Sequence, residues 1–483
     1  MSRRRRTSGA APPAPPEPAG PSLASLPDPL IVRCLGLLAP RERLERAALV
    51  CRRFRHLCLA PELLESIKVT SLFVPPFPNT AGPPERLRAL LALLTTHGRH
   101  VRRLELRAYE GFGPHTLLVA GCLAALGAAA AAGGRLEWLD VSHVPPLSAD
   151  WLPALVHLTE LKLYCSMELP LVLPAGISRL TALQAATLMA SPLELKGPRL
   201  PAALARLMVS DSTSTQLPPQ LSTLGALSSL SLVRCPYEAA SVACLSALPS
   251  LRHLVLSELP PGCLPAYLAA ATRLERLEVG SHAGVYSAAF SSPLHDLCSL
   301  TCLALSGRGW LEVPAGISRL TRLQRLCLIP SCNQELSNGA LPGGPWLSHI
   351  AWLGLPWECL EAAAAGPLRA APRLRFLCSY GLPAFGKDLP AEQADALGVA
   401  PSYYDRFHAF WAWAAAHPPL QVLGFEQRYD GEAPSIELLD AMLELKHRRP
   451  GLVPRRIDDD PGFCSEMLED AEPQFKPCPH FTA

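Results

Sequence analysis

Leu173-Pro-Ala-Gly-Ile-Ser-Arg-Leu-Thr-Ala-Leu-Gln184 recurs further along the chain as Val313-Pro-Ala-Gly-Ile-Ser-Arg-Leu-Thr-Arg-Leu-Gln324, identical at ten of twelve positions. A looser third copy, Leu217-Pro-Pro-Gln-Leu221, lies between them. A chance run of leucines does not reproduce the Gly and Ser that separate them. The chain therefore contains an internal repeat, and a fixed period is the signature of a stacked architecture.

The repeat extends in both directions when it is counted with the template L-x-x-L-x-L. Successive starts are 21 to 27 residues apart, except for a first interval of 35 residues. Leucine-rich repeats have periods of roughly 20 to 29 residues, and the chain resembles that family from about residue 98 to residue 385. The starts are Val101, Leu136, Leu158, Leu183, Leu204, Leu227, Leu251, Leu274, Leu300, Leu323, Ile350 and Leu374.

The turn after each predicted strand departs from that family. Its consensus places Asn or Cys three residues after the last strand leucine, where the side chain satisfies buried backbone groups. Serine can do so in part, whereas Val and Leu cannot, so we expect an irregular horseshoe. The position reads Ser166, Ser191, Ser212, Cys235 and Ser331, but also Val144 and Leu259.

Residues 26 to 64 carry a different pattern, with apolar side chains at three- and four-residue steps behind Asp28 and Pro29. The spacing predicts three short helices, with Asp28 as a cap and Pro29 at the first helical position. About 40 residues bury little surface by themselves. We therefore expect this unit to complete its core against a partner.

Three segments of this unit resemble the F-box family in order and spacing: Leu26-Pro-Asp-Pro-Leu-Ile31, Ala48-Leu-Val-Cys-Arg-Arg-Phe-Arg55 and Pro61-Glu-Leu-Leu64. Phe54 stands where the family usually has Trp, and Leu63 and Leu64 where a terminal Trp is common; all remain large and apolar. The resemblance implies binding to a Skp-type adaptor, and through it to a cullin and a RING subunit. The residues that match the adaptor contact are Leu26, Pro27, Leu30, Ile31, Val50 and Phe54.

The predicted fold is an α/β solenoid, a leucine-rich repeat horseshoe preceded by a small three-helix F-box. Tyr403, Phe407, Phe410 and Trp411 lie on one face of a helix that must be covered, and a terminal repeat requires a cap. The predicted parts are a disordered Arg/Pro/Ala-rich tail (1–22), the F-box (23–67), a linker with a cap helix (68–97), the solenoid (98–385), a C-terminal repeat with cap helices (386–450) and a loose tail (451–483).

Composition excludes several classes of protein. The 483 residues are 49% hydrophobic and 18% charged and include 51 prolines, too apolar for a disordered chain and too proline-rich for an all-helical one. The net charge of +2 is too small to attract a polyanion such as a nucleic acid backbone, so we expect no nucleic acid partner. Gly111 to Gly134 lacks charges but contains Pro114 and several glycines, so we expect a buried helix and no membrane partner.

The sixteen cysteines form no CxxC pair, and Met1-Ser-Arg-Arg-Arg-Arg6 lacks the apolar stretch of a secretory signal. We expect reduced packing thiols in an intracellular protein, cytoplasmic, nuclear or both, with a cilium or the cytoskeleton also open. Arg3 to Arg6 are either a nuclear import signal or a solvated tail.

No catalytic pattern is found: no phosphate-binding Gly-rich loop, no His-Glu-x-x-His and no nucleophile elbow. Cys464, Cys478 and His480 have a spacing that fits no standard zinc site, and a fourth ligand is missing. We therefore expect a protein that is not an enzyme and that has no cofactor and no metal.

The outward face of the strands is the predicted surface for a protein substrate. Because successive side chains alternate across a strand, leucines point into the core and the residues between them point outward. Exposed Trp and Tyr beside Arg are typical of binding hot spots, although each residue could instead be an ordinary solvated one. The predicted contacts are Arg103, Arg107, Trp138, Asp140, Lys162, Tyr164, His253, Arg276, Arg325, Trp352 and Phe376.

These features favour the substrate-recognition subunit of an SCF-type E3 ubiquitin ligase, in which the F-box binds the Skp-type adaptor and the repeats bind a protein substrate. The alternative is a non-ligase leucine-rich repeat scaffold in a cytoskeletal or ciliary assembly, in which residues 26 to 64 only cap the solenoid.

Overall fold

The structure, a computed structural model, describes the chain between residues 25 and 477 with gaps. The described ranges are 25–38, 40–69, 83–107, 116–144, 149–165, 171–189, 193–195, 199–210, 217, 219–235, 238, 243–257, 268, 270–281, 294–307, 313–330, 341–356, 359–360, 363, 366–380, 410–426, 443–457 and 476–477.

The strands of this part of the chain are short. Their bounds are β1 (Ser66–Val69), β2 (Arg103–Leu106), β3 (Trp138–Val144), β4 (Glu160–Cys165), β5 (Leu171–Leu173), β6 (Ala185–Met189), β7 (Leu193–Leu195), β8 (Arg206–Ser210), β9 (Ser229–Val233), β10 (His253–Ser257), β11 (Arg276–Ser281), β12 (Cys302–Gly307), β13 (Arg325–Pro330), β14 (Trp352–Pro356), β15 (Phe376–Tyr380), β16 (Val422–Glu426), β17 (Val453–Ile457) and β18 (Lys476–Pro477).

The helices lie mostly before the array. They are α1 (Asp28–Gly36), α2 (Pro40–Glu42), a π-helical turn (Arg43–Ala47), α3 (Ala48–Val50), α4 (Arg52–Cys58), α5 (Pro61–Leu64), α6 (Pro83–His97) and α7 (Thr116–Ala131). Residues 410–416 and 443–448 are also helical. Short 3-10 turns are Gly98–His100, Leu152–Ala154, Ala175–Arg179, Pro219–Thr223, Ala243–Ala247, Ala315–Arg319, Pro345–Ser348 and Pro367–Ala370.

One open sheet organises the molecule. Within the described residues it contains 16 strands in the order β1-β2-β3-β4-β6-β8-β9-β10-β11-β12-β13-β14-β15-β16-β17-β18, and β5 and β7 form a separate pair. Strands β1 to β17 of this sheet pair in parallel, each with the strand of the next coil, and β18 pairs antiparallel with β17. A parallel sheet with one strand per repeat is the predicted α/β solenoid of leucine-rich repeats.

The predicted repeat register is confirmed strand by strand. Each of the twelve starts counted from the sequence is followed two residues later by the first residue of a strand, as Leu158 is by Glu160. Within that strand Leu161 and Leu163 are buried, whereas Lys162 between them is partly exposed. The leucine spacing fixes the register because a slip by one residue would turn every leucine outward.

The duplicated motif forms the same turn twice. Ala175–Arg179 and Ala315–Arg319 are both 3-10 helices that follow a proline. In the first copy, Ile177 and Leu180 are buried. The spacing shared by the two copies therefore places these apolar side chains in the core behind the sheet. Gly176 lies against Pro153 of the preceding coil, and an added Cβ would come within 2.9 Å of the Pro153 ring.

At the turn position three residues after the last strand leucine, the described residues fit the expectation from their side chains. The Cys235 thiol donates to the carbonyl oxygens of Val209 and Val233 at 3.6 and 3.2 Å. Val144 offers no such group, and the pairing of β3 with β4 shifts register between Ser142 and Val144. Ser166, Ser191, Ser212, Leu259 and Ser331 lie outside the described residues.

Residues 25–64, the helical module, have a core of their own. Ile31, Leu35, Phe54, Leu57 and Cys58 belong to a buried cluster separate from the large core of the array. A separate core indicates a unit appended to the solenoid. The unit joins the array directly, because β1 begins two residues after α5 ends.

Two polar contacts shape the helical module. The Arg53 guanidinium pairs with Asp28 at 2.5 Å and donates to the carbonyl oxygen of Leu26 at 2.7 Å, which fixes the start of α1. The Cys51 sulfur accepts a bond from the backbone N–H of Phe54 at 3.4 Å and so caps α4. Cys51 and Arg53 of the Val-Cys-Arg-Arg-Phe segment therefore have structural roles.

Two helices stand beside the first strands of the array. Leu87 and Leu94 of α6 and Val119 and Leu123 of α7 are buried in the array core. The predicted buried helix within Gly111 to Gly134 is α7 in its described part. Among the described helices, none combines the length and the apolarity that a membrane crossing needs.

Predicted boundaries differ from the structure at both ends of the array. We placed residues up to 67 in the F-box, but β1 already pairs with β2 from Ser66. We also predicted a loose tail from residue 451, whereas β17 extends the sheet and β18 pairs with it. Leu452 is buried and supplies one more core leucine, and β17 covers the edge that β16 would otherwise leave unpaired.

The predicted aromatic helix face is described only in part. Residues 386–409, with Tyr403 and Phe407, lie outside the described part. Phe410 and Trp411 are buried, and their rings are in edge-to-face contact with centroids 5.5 Å apart.

Candidate functional site

Predicted contact residues converge on the outward face of β2, β3 and β4. Sheet pairing places Arg103 beside Trp138, which lies beside Glu160, and places Glu105 beside Asp140 and Lys162. Tyr164 pairs with Ser142 one pleat further along. We call this set the N-terminal cluster: Arg103, Glu105, Arg107, Trp138, Asp140, Glu160, Lys162 and Tyr164.

The Trp138 indole is the centre of the N-terminal cluster. The Arg103 guanidinium carbon lies 5.1 Å from the ring centroid and the Lys162 Nζ lies 5.9 Å from it. Both distances fit cation–π contacts. Lys162 also pairs with Glu160 at 3.1 Å. Burial would raise the pKa of Glu160, but the bond and charge of Lys162, a bond from Trp138 and the charge of Arg206 together lower it.

Arg107 links two carboxylates on neighbouring strands. It pairs with Asp140 at 2.6 Å and with Glu105 at 3.2 Å, and Lys68 of β1 reaches Glu105 at 3.1 Å. The side-chain hydrogen bond to Asp140 raises the pKa of Arg107. Burial, followed by the charge of Asp140, raises the pKa of Tyr164, so its hydroxyl remains a donor. Lys68 is a member of this network that the repeat template missed, because it precedes the first counted start.

Arg103 differs from the other cations of the N-terminal cluster. Lys68, Arg107 and Lys162 all have carboxylate partners, whereas Arg103 has none within the described residues and is held only over Trp138. An exposed guanidinium on an indole face offers charge and an apolar surface together. That arrangement suits a protein segment in which an acidic side chain neighbours an apolar one.

Two predicted contact residues are buried and cannot touch a partner directly. Asp140 has no exposed surface, because Arg107 and neighbouring side chains enclose it. Trp352 is 4% exposed and belongs to a second apolar cluster on the outward face of β12 to β16. The alternation of side chains along a strand correctly predicted the face on which both residues lie. It did not predict that other side chains cover them there. The other members of the second cluster are Ala304, Cys327, Cys378 and Val422.

The remaining predicted contacts share the register row of Arg103 and Trp138. His253 and Arg276 pair across β10 and β11, and Arg325 pairs with Trp352. Phe376 follows in the same row and packs against the second apolar cluster. All four of these residues are partly exposed, but the structure does not bring them into the N-terminal cluster.

The predicted adaptor contacts divide into exposed and buried residues. Ile31 and Phe54 lie in the core of the helical module, so they support its surface and do not form it. Leu30 and Val50 are 44% and 68% exposed, Pro27 is exposed and Leu26 is partly exposed. The predicted contacts did not include Leu37 and Leu49, which are 88% and 71% exposed. Leu37 lies seven residues after Leu30, on the same helix face, and this spacing from a predicted contact was the available signal.

The cysteines provide no metal site in the part of the chain that is described. The twelve cysteines in that part are all free, and no group of three His, Cys, Asp or Glu there is arranged to hold a metal ion. Burial raises the pKa of Cys122 and Cys165 to about 12, which makes them packing thiols. Cys464, Cys478 and His480 lie outside the described residues.

No protein-family model matches the sequence, and no curated protein matches it. Solved structures show some likeness. An internalin (inlF) from Listeria monocytogenes has 17% identity and a TM-score of 0.36 over 61% of this chain and 87% of that one. The LRR protein LIC12759 from Leptospira interrogans has 14% identity and a TM-score of 0.39 over 86% and 100%. Internalin C2 from Listeria monocytogenes has 16% identity and a TM-score of 0.26 over 42% and 76%. The fold assignment rests on the strand order and register described above.

Proposed function

We propose that this chain is a non-catalytic substrate receptor of an SCF-type ubiquitin ligase. In this proposal the helical module binds a Skp-type adaptor, which connects the chain to a cullin and a RING subunit. The outward face of the solenoid holds a protein substrate, with the N-terminal cluster as its principal contact. In this proposal the solenoid is a protein-binding scaffold, and the ligase role explains why the helical module is attached to it.

One observation carries this proposal: the apolar surface of the helical module. Nine large hydrophobic side chains are exposed within the described residues, and five of them lie in this short segment. Exposed apolar side chains grouped in a small unit indicate a protein interface. The five residues are Leu30, Leu37, Leu38, Leu49 and Val50.

The separate core of the helical module supports docking over capping. A cap would share its buried residues with the first coil, but the core of Ile31, Phe54 and Leu57 is distinct from the array core, which begins at Ile67. The covering residues of the first coils come instead from α6 and α7. The alternative function, a non-ligase scaffold in a cytoskeletal or ciliary assembly, requires the module to act only as a cap.

The mechanism is positional. A receptor that binds a substrate and an adaptor at the same time converts ubiquitin transfer into a reaction within one assembly, and this raises the effective concentration of the substrate lysine. Such a role needs two rigid binding surfaces and no catalytic side chain. The parallel sheet provides the rigidity, because every strand of the 16-stranded sheet from β2 to β16 is hydrogen-bonded on both sides.

The test is recovery of a Skp-type adaptor with the full-length protein. We expect Leu49→Asp and Val50→Asp to weaken adaptor binding about tenfold or more, since each places a charge in an apolar contact. Neither change touches the module core, unlike Phe54→Ala, so folding is preserved.

Leu117→Asp is the matched control, because Leu117 is a leucine of similar exposure (77%) on α7, outside the helical module. We expect this variant to bind the adaptor normally. Failure of the wild-type protein to bind any Skp-type adaptor, or an equal loss in all three variants, would contradict the ligase role.

A further inference from the structure

The outward face of the sheet is apolar between the N-terminal cluster and the second apolar cluster. Nine large hydrophobic side chains are exposed in the described part of the chain, and Met208, at 38%, is the one that lies in a strand. Met189 of β6, Val233 of β9 and Val255 of β10 also point outward and are partly exposed. We call these four residues, which lie on adjacent strands, the central floor.

Small side chains separate the members of the central floor. In one register row Ser231 lies between Met208 and Val255, and the next row repeats this arrangement with Ser210 at its centre. The larger side chains therefore stand as knobs, with a depression over each serine. Such a relief accepts the interdigitating side chains of another packed element.

The border of the central floor is basic. Arg206 precedes Met208 by two residues in β8, and the register row of Arg206 continues through His253 to Arg276 of β11. Arg206 is exposed and Arg276 is partly exposed. Among the described outward residues of β6 and β8 to β11 the one carboxylate is that of Glu278. Burial raises its pKa to about 7, so part of its population is uncharged at neutral pH.

The central floor is bounded at both ends. On one side Lys162 and Glu160 form the ion pair of the N-terminal cluster. On the other side Cys302 and Ala304 of β12 are 3% and 2% exposed. Because adjacent strands are about 4.8 Å apart, the four steps from β6 to β11 span about 19 Å, which is the length of an α-helix of about 13 residues.

The backbone of these strands offers nothing to an extended peptide. Each of them is hydrogen-bonded on both sides within the sheet, so an extended segment laid on the face would find no partners there for its own N–H and C=O groups. A helix satisfies these groups internally and presents only side chains. Recognition of a helix in a groove depends on that property.

We infer that the central floor binds an amphipathic, acidic α-helix of a partner protein. Apolar residues of the helix at i, i+3, i+4 and i+7 would lie on Met208 and Val255, and Asp or Glu bordering that stripe would pair with Arg206 and Arg276. A nucleic acid strand would need aromatic side chains for stacking, and the central floor has none. The inference rests on the proposed protein-binding role of the outward face, names the class of segment bound there and is independent of adaptor docking.

The test measures fluorescence anisotropy of labelled peptides of about 16 residues with the full-length protein. The principal probe, the Glu peptide, has Leu at helical spacing, Glu bordering the leucines, and Ala and Gln elsewhere. One comparison probe has Lys in place of Glu, a second has the same residues rearranged with Leu at alternate positions, and a third is single-stranded RNA. We expect the Glu peptide to bind at least about tenfold more tightly than each of these.

Met208→Asp tests the apolar contact. We expect it to weaken binding of the Glu peptide about tenfold or more, since it places a charge in the centre of the central floor. Val156→Asp is its matched control, because Val156 has similar exposure (42%) and lies outside the strands. We expect no effect of the control.

Arg206→Gln and Arg276→Gln test the basic border. We expect each to weaken binding of the Glu peptide about threefold to tenfold and not to weaken binding of the Lys peptide. Arg179→Gln removes an exposed arginine of a 3-10 turn, and we expect no effect. Melting temperature verifies that each variant is folded.

The inference is overturned if the Glu peptide shows no saturable binding, if the Lys peptide, the rearranged peptide or RNA binds as tightly, or if Met208→Asp and Val156→Asp have equal effects. Adaptor recovery with the Met208→Asp variant reads the helical module alone. Failure of the Glu peptide to bind, with normal adaptor recovery, therefore separates failure of this inference from failure of the proposed function.

Discussion

Glu278 is a carboxylate on the outward face of β11 with apolar neighbours. Sheet pairing places it between Val255 and Ala304. Burial raises its pKa from the usual 4.5 to about 7. The folded protein therefore holds this proton more tightly than the unfolded chain does, and the stability that results is present below pH 4.5 and is lost as the pH rises through 7.

Glu278→Gln removes this dependence. A pKa raised to about 7 corresponds to about 3 kcal/mol at most, so we expect the variant to gain up to that much stability over the wild type at pH 8. At pH 4.5 most of the difference disappears, because Glu278 is then protonated. Urea unfolding at both pH values measures the effect, and an identical difference at the two values would contradict the assignment.

Gly176 shows why the first copy of the duplicated motif requires a glycine. A Cβ at this position would meet the Pro153 ring at 2.9 Å, and a proline ring cannot rotate away. We expect Gly176→Ala to cost about 1 to 3 kcal/mol through overpacking between two coils. The measurement is the free energy of unfolding in urea.

Gly225→Ala is the control for this prediction, since nothing lies within 4 Å of an added Cβ there. It removes the same backbone freedom from the unfolded chain, and we expect no loss of stability and up to about 1 kcal/mol of gain. Equal destabilisation by both variants would show that contact with Pro153 is not the reason.

At the scale of elements, the repeat strands could be predicted from the sequence but their surroundings could not. The leucine spacing determines which side of a strand is buried, and it placed Leu161 and Lys162 correctly. It carries no information about contacts between outward side chains, so the burial of Asp140 and Trp352 was not foreseen. Met208 was not among the predicted contacts for a related reason: the prediction selected aromatic and ionisable side chains, and the spacing does not show which other outward residues stay exposed.

The two hydrophobic cores make a prediction about how the elements unfold. Ile31 has no exposed surface in the core of the helical module, and Ile31→Ala removes about 2 to 5 kcal/mol of packing there. We expect hydrogen exchange to accelerate in α1 and α4 while the strands from β3 to β15 keep their protection. A matching acceleration in those strands would show that the module and the array unfold as one unit, as a cap would.

At the scale of the whole molecule, the account describes a receptor with surfaces at different places along one rigid array. The helical module adjoins β1, the N-terminal cluster lies on β2 to β4, and the central floor lies on β6 and β8 to β10. A solenoid keeps such sites at fixed separations because each coil contacts only its neighbours. A partner held at the sheet is therefore held at a defined distance from whatever binds the module.

The most direct test of the central claim is hydrogen exchange of the full-length protein with and without a purified Skp-type adaptor. The account predicts slower exchange within residues 28–50, where Leu37, Leu49 and Val50 are exposed, and no change in β2, β3 and β4. Absence of a complex, or protection confined to the sheet with the module unchanged, would contradict it.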